Sequence, residues 1–369
     1  DLTYATESFF QDGVLAKAVD DVTSKGVVYI SSAGNFANKS YQSTFMPIKA
    51  PAGFVGDAHD FGNGNVFQQV TLDSGSYVLV LQWQDFIYSN GLSDAGTAND
   101  LDIFITDNNN NNAILFGGNR NNSGGDPIES LEFTVRKSTT ANIMITRASG
   151  SANVNFKYVV FKGKINFGTG YLGASSIIGQ SNAAGAITIG AARYKEGIMT
   201  PEDFTSIGGT SINGIPRNKP DFLAPNGVVT TVELGTKRSG PYSLFFGTSA
   251  AAPHVAGLVA LLMEGKEKYS NEKNLTPQAI KALLKAASVG VEGLPALGVG
   301  RTAPVHDFKK GFGFVRGDLA LTAFANPKPD LNSIVLADHS THLGIEHVVF
   351  CLKVNFFPVL SHVFLPFTL

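Results

Sequence analysis

Phe246-Gly247-Thr248-Ser249-Ala250-Ala251-Ala252-Pro253-His254-Val255-Ala256-Gly257 is the stretch on which the fold turns. A serine is followed by small residues, and Val255, Val259 and Leu262 then recur at the spacing of one helical face. The pattern places Ser249 at the N-terminus of a buried helix. There the helix dipole and free backbone N–H groups favour negative charge developing beside the serine. The alanines leave room for another backbone to approach. A serine in this place also suits a plain N-cap, so the stretch alone leaves nucleophile and cap both open.

Working outward, residues 9–24 put Val14, Leu15, Ala18, Val19 and Val22 on one helical stripe, with Lys25-Gly26 as the C-cap. Val27–Ser31 then reads as a short buried strand. Helix, glycine and apolar strand make half a turn of a βαβ unit. Ala186–Ala191 reads as a second buried strand. Helical patterns return at 249–264 and 277–287, the latter with Thr276 as N-cap and Pro277 at its first position. Between about 41 and 163 the grammar differs. Ser76–Trp83, Leu101–Thr106, Leu131–Val135, Ile143–Thr146 and Phe156–Phe161 are strand-like, separated by polar breaks such as Asn108–Asn112. That spacing predicts an antiparallel β-sandwich inserted into an α/β domain.

Composition bounds the rest. With 43% hydrophobic and 16% charged residues over 369 positions, the chain is long enough for one large domain or two smaller ones. A net charge of -2 offers no basic field to nucleic acid or an anionic membrane. The lone Cys351 cannot form an intrachain disulfide. The sequence opens on Asp1 without a basic-then-apolar leader, which reads as a processed, truncated or excerpted chain. In the tail from about 327, Val348–Leu369 is apolar but interrupted by Lys353, Asn355, Pro358, His362 and Pro366. It falls short of the roughly 20 unbroken apolar residues of a membrane span.

Taken whole, Phe246–Gly257 resembles the nucleophile motif of the subtilisin family. Ile30-Ser31-Ser32-Ala33-Gly34-Asn35 resembles that family's oxyanion segment, although a turn asparagine after a strand is common. Ala186–Ala191, Asp203–Gly208, Lys219–Pro225 and Gly311–Val315 resemble further family segments, with Arg316-Gly317 where Asp-Ala is usual. The resemblance covers roughly residues 1–40 and 165–325. It implies a subtilisin-like doubly wound parallel sheet, N-terminal strands missing, with residues 1–40 and 164–326 as the peptidase domain. Residues 41–163 form the inserted β-sandwich, a lid or substrate-guiding module, and 327–369 a tail of unknown structure. Leu81-Gln82-Trp83, Asp100-Leu101-Asp102-Ile103 and Gly125-Asp126-Pro127 look like β domains that accompany secreted bacterial peptidases.

The resemblance further implies a serine endopeptidase, extracellular or periplasmic, in which Ser249 attacks a peptide carbonyl. Asn35 and the Ser249 N–H would hold the oxyanion. Ser31, Ser32, Ala33 and Gly34, with Thr248, would line the side-chain pocket next to the scissile bond. No cofactor is required. Calcium is common in the family, and Asp100, Asp102 and Asp107 could offer oxygens, although no twelve-residue loop pattern is present. The implied partners are peptide or protein substrates and an N-terminal propeptide.

The family's His-Gly-Thr helix start is absent, and the only Asp-Ser-Gly, Asp73-Ser74-Gly75, falls in the insert as a hairpin turn. His254, five positions after Ser249, sits about 140° around the helix and reads as a packing residue. His59 reads as a solvated loop residue between Asp57 and Asp60. His339, His342 and His347 lie in the tail, with no fixed element to serve a zinc ion. A parallel sheet without its first strands would leave an open apolar edge and an unstable chain. Two rivals stand beside this reading. One is the sedolisin family, with an aspartate as oxyanion donor, against which Asn35 and His254 speak. The other is a degenerate, non-catalytic scaffold that displays the insert to a partner.

Overall fold

The computed structural model describes residues 1–322 apart from 38, 92–94, 109–112, 169–172, 194–198, 234–237, 271–272, 274 and 291–304. The expectations for the tail and its histidines lie outside the described residues.

Helix α1 (Val14–Ser24) leads into β1 (Ile30–Ser32), and after a long excursion the chain returns as β2 (Ile187–Ala192) and β3 (Phe222–Pro225). A small ribbon follows, β4 (Val228–Thr230), β5 (Arg238–Ser239) and β6 (Tyr242–Phe245). Then come α2 (Thr248–Ser270), α3 (Pro277–Ala286), β7 (Ser288–Val289), β8 (Phe314–Val315) and α4 (Gly317–Thr322). Strands β1, β2, β3 and β8 lie parallel in that spatial order, and β7 adds antiparallel beyond β8. The strands are buried on both faces, which is why they read as continuous apolar runs rather than alternating ones. Ala251, Val255, Val259 and Leu262 of α2 pack on Ile187, Ile189, Phe222 and Ala224. Thr276 caps α3 through its hydroxyl, which accepts from Ala279 N at 3.2 Å.

The excursion forms two antiparallel sheets. One contains Pro47–Lys49, Asp57–His59, Gln68–Leu72, Asp100–Asp107, Ile114–Gly118, Thr139–Ser149 and Ile165–Phe167. The other contains Ser40–Thr44, Gly75–Trp83, Ile128–Val135 and Asn155–Lys162. They meet over Phe45, Leu81, Trp83, Leu101, Ile103, Phe156 and Tyr158, all fully buried. The second sheet turns its other side to the α/β layer. Val80 and Val159 pack on Phe9, Phe10 and Ile178. Lys157, fully buried, reaches across to Ser175 Oγ at 2.6 Å, and burial pushes its amine down to about 7.

Three expectations need correction. The helix over 9–24 begins only at Val14, because Phe9 and Phe10 leave the helix path to fill the junction with the sandwich. Its start is capped by Glu7, whose Oε1 accepts from Leu15 N at 3.1 Å, and its buried positions are Ala16, Val19 and Thr23. Val14, placed on the inward stripe by periodicity, is 64% exposed. Asp73-Ser74-Gly75 turns the chain, but the strands on either side belong to different sheets, so it is a corner rather than a hairpin. His59 ends the Asp57–His59 strand and is buried among Tyr41, Phe45, Phe61 and Phe156. Desolvation lowers its pKa to about 4, keeping the ring neutral.

Candidate active site

β1 delivers Ala33, Gly34 and Asn35 to the rim of the sheet, where α2 begins. Ala33 N still donates to Ile189 O at 2.9 Å. Gly34 then takes φ +93°, a conformation open to glycine, and its N–H donates to Thr248 Oγ1 at 3.1 Å. Asn35 closes the junction. Its Oδ1 accepts from Thr248 N at 2.9 Å and from Thr248 Oγ1 at 3.0 Å. A backbone N–H can only donate, so the atom facing it is the oxygen, and Nδ2 is the amide group left pointing away.

The helix N-terminus can be accounted for donor by donor. Gly247 N donates to Asn226 Oδ1 at 3.3 Å, Thr248 N to Asn35, and Ala250 N and Ala251 N to Gly247 O at 3.0 and 3.3 Å. Ser249 N is the one left without an acceptor among the described residues. Gly247 at φ +122° makes this approach feasible, since a Cβ there would stand 3.2 Å from Asn35 Nδ2. The half-buried Ser249 hydroxyl therefore has two uncommitted donors in its neighbourhood, its own N–H and the Asn35 amide.

Sequence reasoning missed Asn226, which follows β3. Its Nδ2 donates to Ala192 O and to Glu202 Oε1, both at 3.0 Å, while Arg193 Nε donates to Glu202 Oε2 at 3.0 Å. Asn226 thus ties Gly247 to the ends of β2 and β3. Pro225-Asn226-Gly227 could have been read as a turn, but its partner lies 21 residues away.

Ser31, Ser32, Ala33 and Gly34 are all buried. Ser31 Oγ shares a hydrogen bond with Ser181 Oγ at 2.9 Å, and Ser181 Oγ donates to Ser32 O at 2.8 Å. Thr248 is buried with its hydroxyl between Gly34 N and Asn35 Oδ1.

The three described histidines are engaged elsewhere. His254 Nδ1 meets Ala250 O at 2.6 Å, within its own helix. His306 Nε2 meets Pro220 O at 2.9 Å, and His59 lies in the sandwich core, its Nε2 3.2 Å from Tyr41 Oη. Asp221 is buried with Lys219 Nζ at 2.9 Å and Lys281 on its other oxygen. Burial pushes its carboxyl up, but the two lysines outweigh burial and hold it below the usual carboxylate range. In the sandwich, Asp102 and Glu129 are raised to about 7, chiefly by burial, with the Asp100 carboxylate adding to Asp102. Among the described residues no three His, Cys, Asp or Glu side chains come together as a metal-binding group. No helix among them is long and apolar enough to cross a membrane. A cavity of about 460 Å³ lies between Phe10, Trp83, Phe86 and Asn213, and neither Asn35 nor Ser249 lines it.

With this geometry in place, the chain can be set beside known proteins. The model of the Subtilase family, peptidase S8, matches residues 83–314, more than half of the chain and including Ser249. The chain belongs to the subtilase family, whose members are subtilisin-like serine peptidases. A 109-residue stretch is 34% identical to an extracellular protease of Xanthomonas campestris pv. campestris, spanning 29% of this chain and 16% of that protein. The CspB protease of Clostridium perfringens has the same fold, with TM-score 0.53 and 16% identity over 87% of this chain and 65% of that one. The chain therefore spans less than two thirds of the length of each.

Proposed function

We propose that this chain carries the nucleophile and oxyanion site of a serine endopeptidase, with Ser249 as nucleophile. The observation that carries the reading is the pair of uncommitted donors, Ser249 N–H and Asn35 Nδ2, beside the Ser249 hydroxyl. In this reading Ser249 Oγ attacks the peptide carbonyl, the carbonyl oxygen gains the electron pair, and the two donors stabilise it as charge develops. Asn226 and Thr248 are positioning residues that keep the helix start in register. Ser31–Gly34, with Thr248, wall the pocket for the residue whose carbonyl is attacked, because that carbonyl must lie at the Asn35 side.

A serine hydroxyl needs a base to take its proton. None of the three described histidines meets Ser249, so the reading assigns that base to chain outside the described residues. It asks for no cofactor. The reading gives this protein peptide or protein substrates and an N-terminal propeptide, and an extracellular or periplasmic setting that the name of the Xanthomonas relative, an extracellular protease, supports. Residues 1–40 and 164–326 serve as the peptidase domain, and the 41–163 sandwich, packed on it through Phe9 and Phe161, serves as a lid or substrate-guiding module.

The test is hydrolysis of a denatured protein by the intact protein. Ser249→Ala should abolish it. Asn35→Ala should lower kcat about 10²–10³-fold, a size borrowed from the oxyanion asparagine of subtilisin itself. Unchanged hydrolysis in both variants would remove the site from the mechanism. A second reading, a scaffold without catalysis, draws on the engagement of all three described histidines elsewhere. It predicts no hydrolysis by the intact protein.

A further inference from the structure

The cavity of about 460 Å³ is built jointly by the sandwich and the α/β layer. Ser8, Phe10 and Gln11 enter it from the approach to α1, and Asn213 from the turn between Ser211–Ile212 and Ile215–Pro216. The sandwich supplies Trp83–Ile87 and Asn90. Phe10 and Trp83 are buried while Phe86 is 61% exposed, so an aromatic wall runs from the core to the surface. The indole Nε1 of Trp83 is committed to Thr97 Oγ1, which leaves the cavity only its ring.

The polar lining has unused hydrogen-bonding capacity and no unused charge. The side-chain amides of Gln11, Asn90 and Asn213 have no partner among the described residues. Asn90 Nδ2 is the telling case, because it is shut off from solvent and still has no acceptor. A buried donor in that state costs free energy that a bound acceptor would recover. Asp85 is the one ionisable side chain in the lining. Its Oδ2 accepts from Thr97 Oγ1, Ala98 N and Asn99 Nδ2 at 2.7, 3.0 and 3.0 Å, and its Oδ1 from Phe86 N at 2.8 Å. The carboxylate is therefore satisfied from within the sandwich.

These features narrow the ligand. An anion finds no lysine, arginine or histidine in the lining, and a cation finds its only carboxylate already occupied. A peptide bound as an added strand needs an open sheet edge. Here Gly75–Trp83 is flanked on both sides, by Asn155–Lys162 and Ile128–Val135. Hydroxyl groups do fit, since each combines a donor with acceptor lone pairs and a carboxamide offers the complement of both. A pyranose ring carries such hydroxyls around its rim and C–H groups on its faces. Those C–H groups suit the negative face of an aromatic ring.

We infer that this junction cavity is a binding site for a neutral carbohydrate of about one or two hexose rings, a size within the range of small-ligand pockets. Phe86 is the stacking platform, and Asn90 and Gln11 are hydrogen-bonding partners of the hydroxyls. The inference does not rest on Ser249, which lies outside the cavity lining.

The experiment is titration of the intact protein with tetrasaccharides of glucose, mannose, galactose and N-acetylglucosamine, and with a mannose-rich glycopeptide. Binding is read by calorimetry and by emission of Trp83, the single tryptophan. At least one sugar should give a saturable response, half-complete at or below about 1 mM. Phe86→Ala, a change at an exposed position, should raise that concentration about 3–10-fold. Asn90→Ala should raise it about threefold. A response to free tetrasaccharides alone assigns the rings to a polysaccharide, and a response to the glycopeptide assigns them to a glycosylated protein. No saturable response to any sugar, or the same affinity in both variants, overturns the inference. So does a response to a sugar-free tryptic peptide pool without one to the sugars, which would make the cavity a peptide site.

Discussion

The sandwich and the parallel sheet solve the same packing problem differently. The sandwich covers its own core. Its two sheets enclose Trp83, Phe45, Phe156 and Tyr158, and the indole Nε1 donates to Thr97 Oγ1 at 2.9 Å. The parallel sheet does not finish its own covering among the described residues. β1 lies at one edge, paired to β2 alone, and α2 leaves Pro253, Ala256, Gly257, Ala260 and Met263 exposed. Self-covered structure stabilises itself, while structure left partly open depends on what lies against it. The site stands at the rim of the open region, where Ser249 N–H and the Asn35 amide are uncommitted.

The largest expected break in that comparison is a cavity in the sandwich. Trp83→Ala should cost about 3–5 kcal/mol, measured by denaturant unfolding followed through far-ultraviolet dichroism. Phe156→Ala should do the same with tryptophan fluorescence retained as a probe, since Trp83 is the single tryptophan. A cost below about 1 kcal/mol would mean that the sandwich is not a self-supporting core.

Next in size is the pH response. Asp102 and Glu129, raised to about 7 when folded, bind protons more tightly in the folded state than in the unfolded one. Their contribution is fully present below the unfolded carboxylate range near 4 and is lost as pH rises through about 7. His59, lowered to about 4, has the opposite sign. Its contribution is present above the unfolded value near 6.5 and lost as pH falls through about 4. Trp83 fluorescence melts should therefore lose stability toward pH 8, and Asp102→Asn should flatten that limb. His59→Phe should flatten the acid limb. Unaltered profiles in both variants would contradict the burial of these groups.

The smallest effect is expected on the open side. Met263, at 37% exposure on α2, should tolerate Met263→Ala within about 0.5 kcal/mol if that face stays solvated. A loss of 2 kcal/mol or more in the intact protein would show that something covers it.

Much of this was legible in the sequence because it is local. The Phe246–Gly257 run announced α2, Thr276-Pro277 announced α3, and the strand-like segments at 76–83, 101–106, 131–135, 143–146 and 156–161 all fall in strands of the sandwich. What the sequence hid is non-local. Asp57-Ala58-His59-Asp60 looks like a polar loop until Tyr41, Phe61 and Phe156 close over the imidazole from other strands. The start of α1 at Val14 depends on Glu7 and on the sandwich that takes Phe9 and Phe10. The orientation of the Asn35 amide became readable only when Thr248, 213 positions on, supplied the donor that fixes Oδ1. Motif resemblance brought Asn35 and Ser249 together as candidates, and the two hydrogen bonds from Thr248 to Asn35 Oδ1 hold Asn35 against the residue before Ser249.

The central claim is that Ser249 is the nucleophile, and covalent labelling tests it most directly. The intact protein and Ser249→Ala would be treated with a fluorophosphonate probe, digested and mapped by mass spectrometry. The account predicts one adduct, on the Ser249 peptide, absent from the variant. Equal labelling of both proteins, or none in the intact protein, would contradict it.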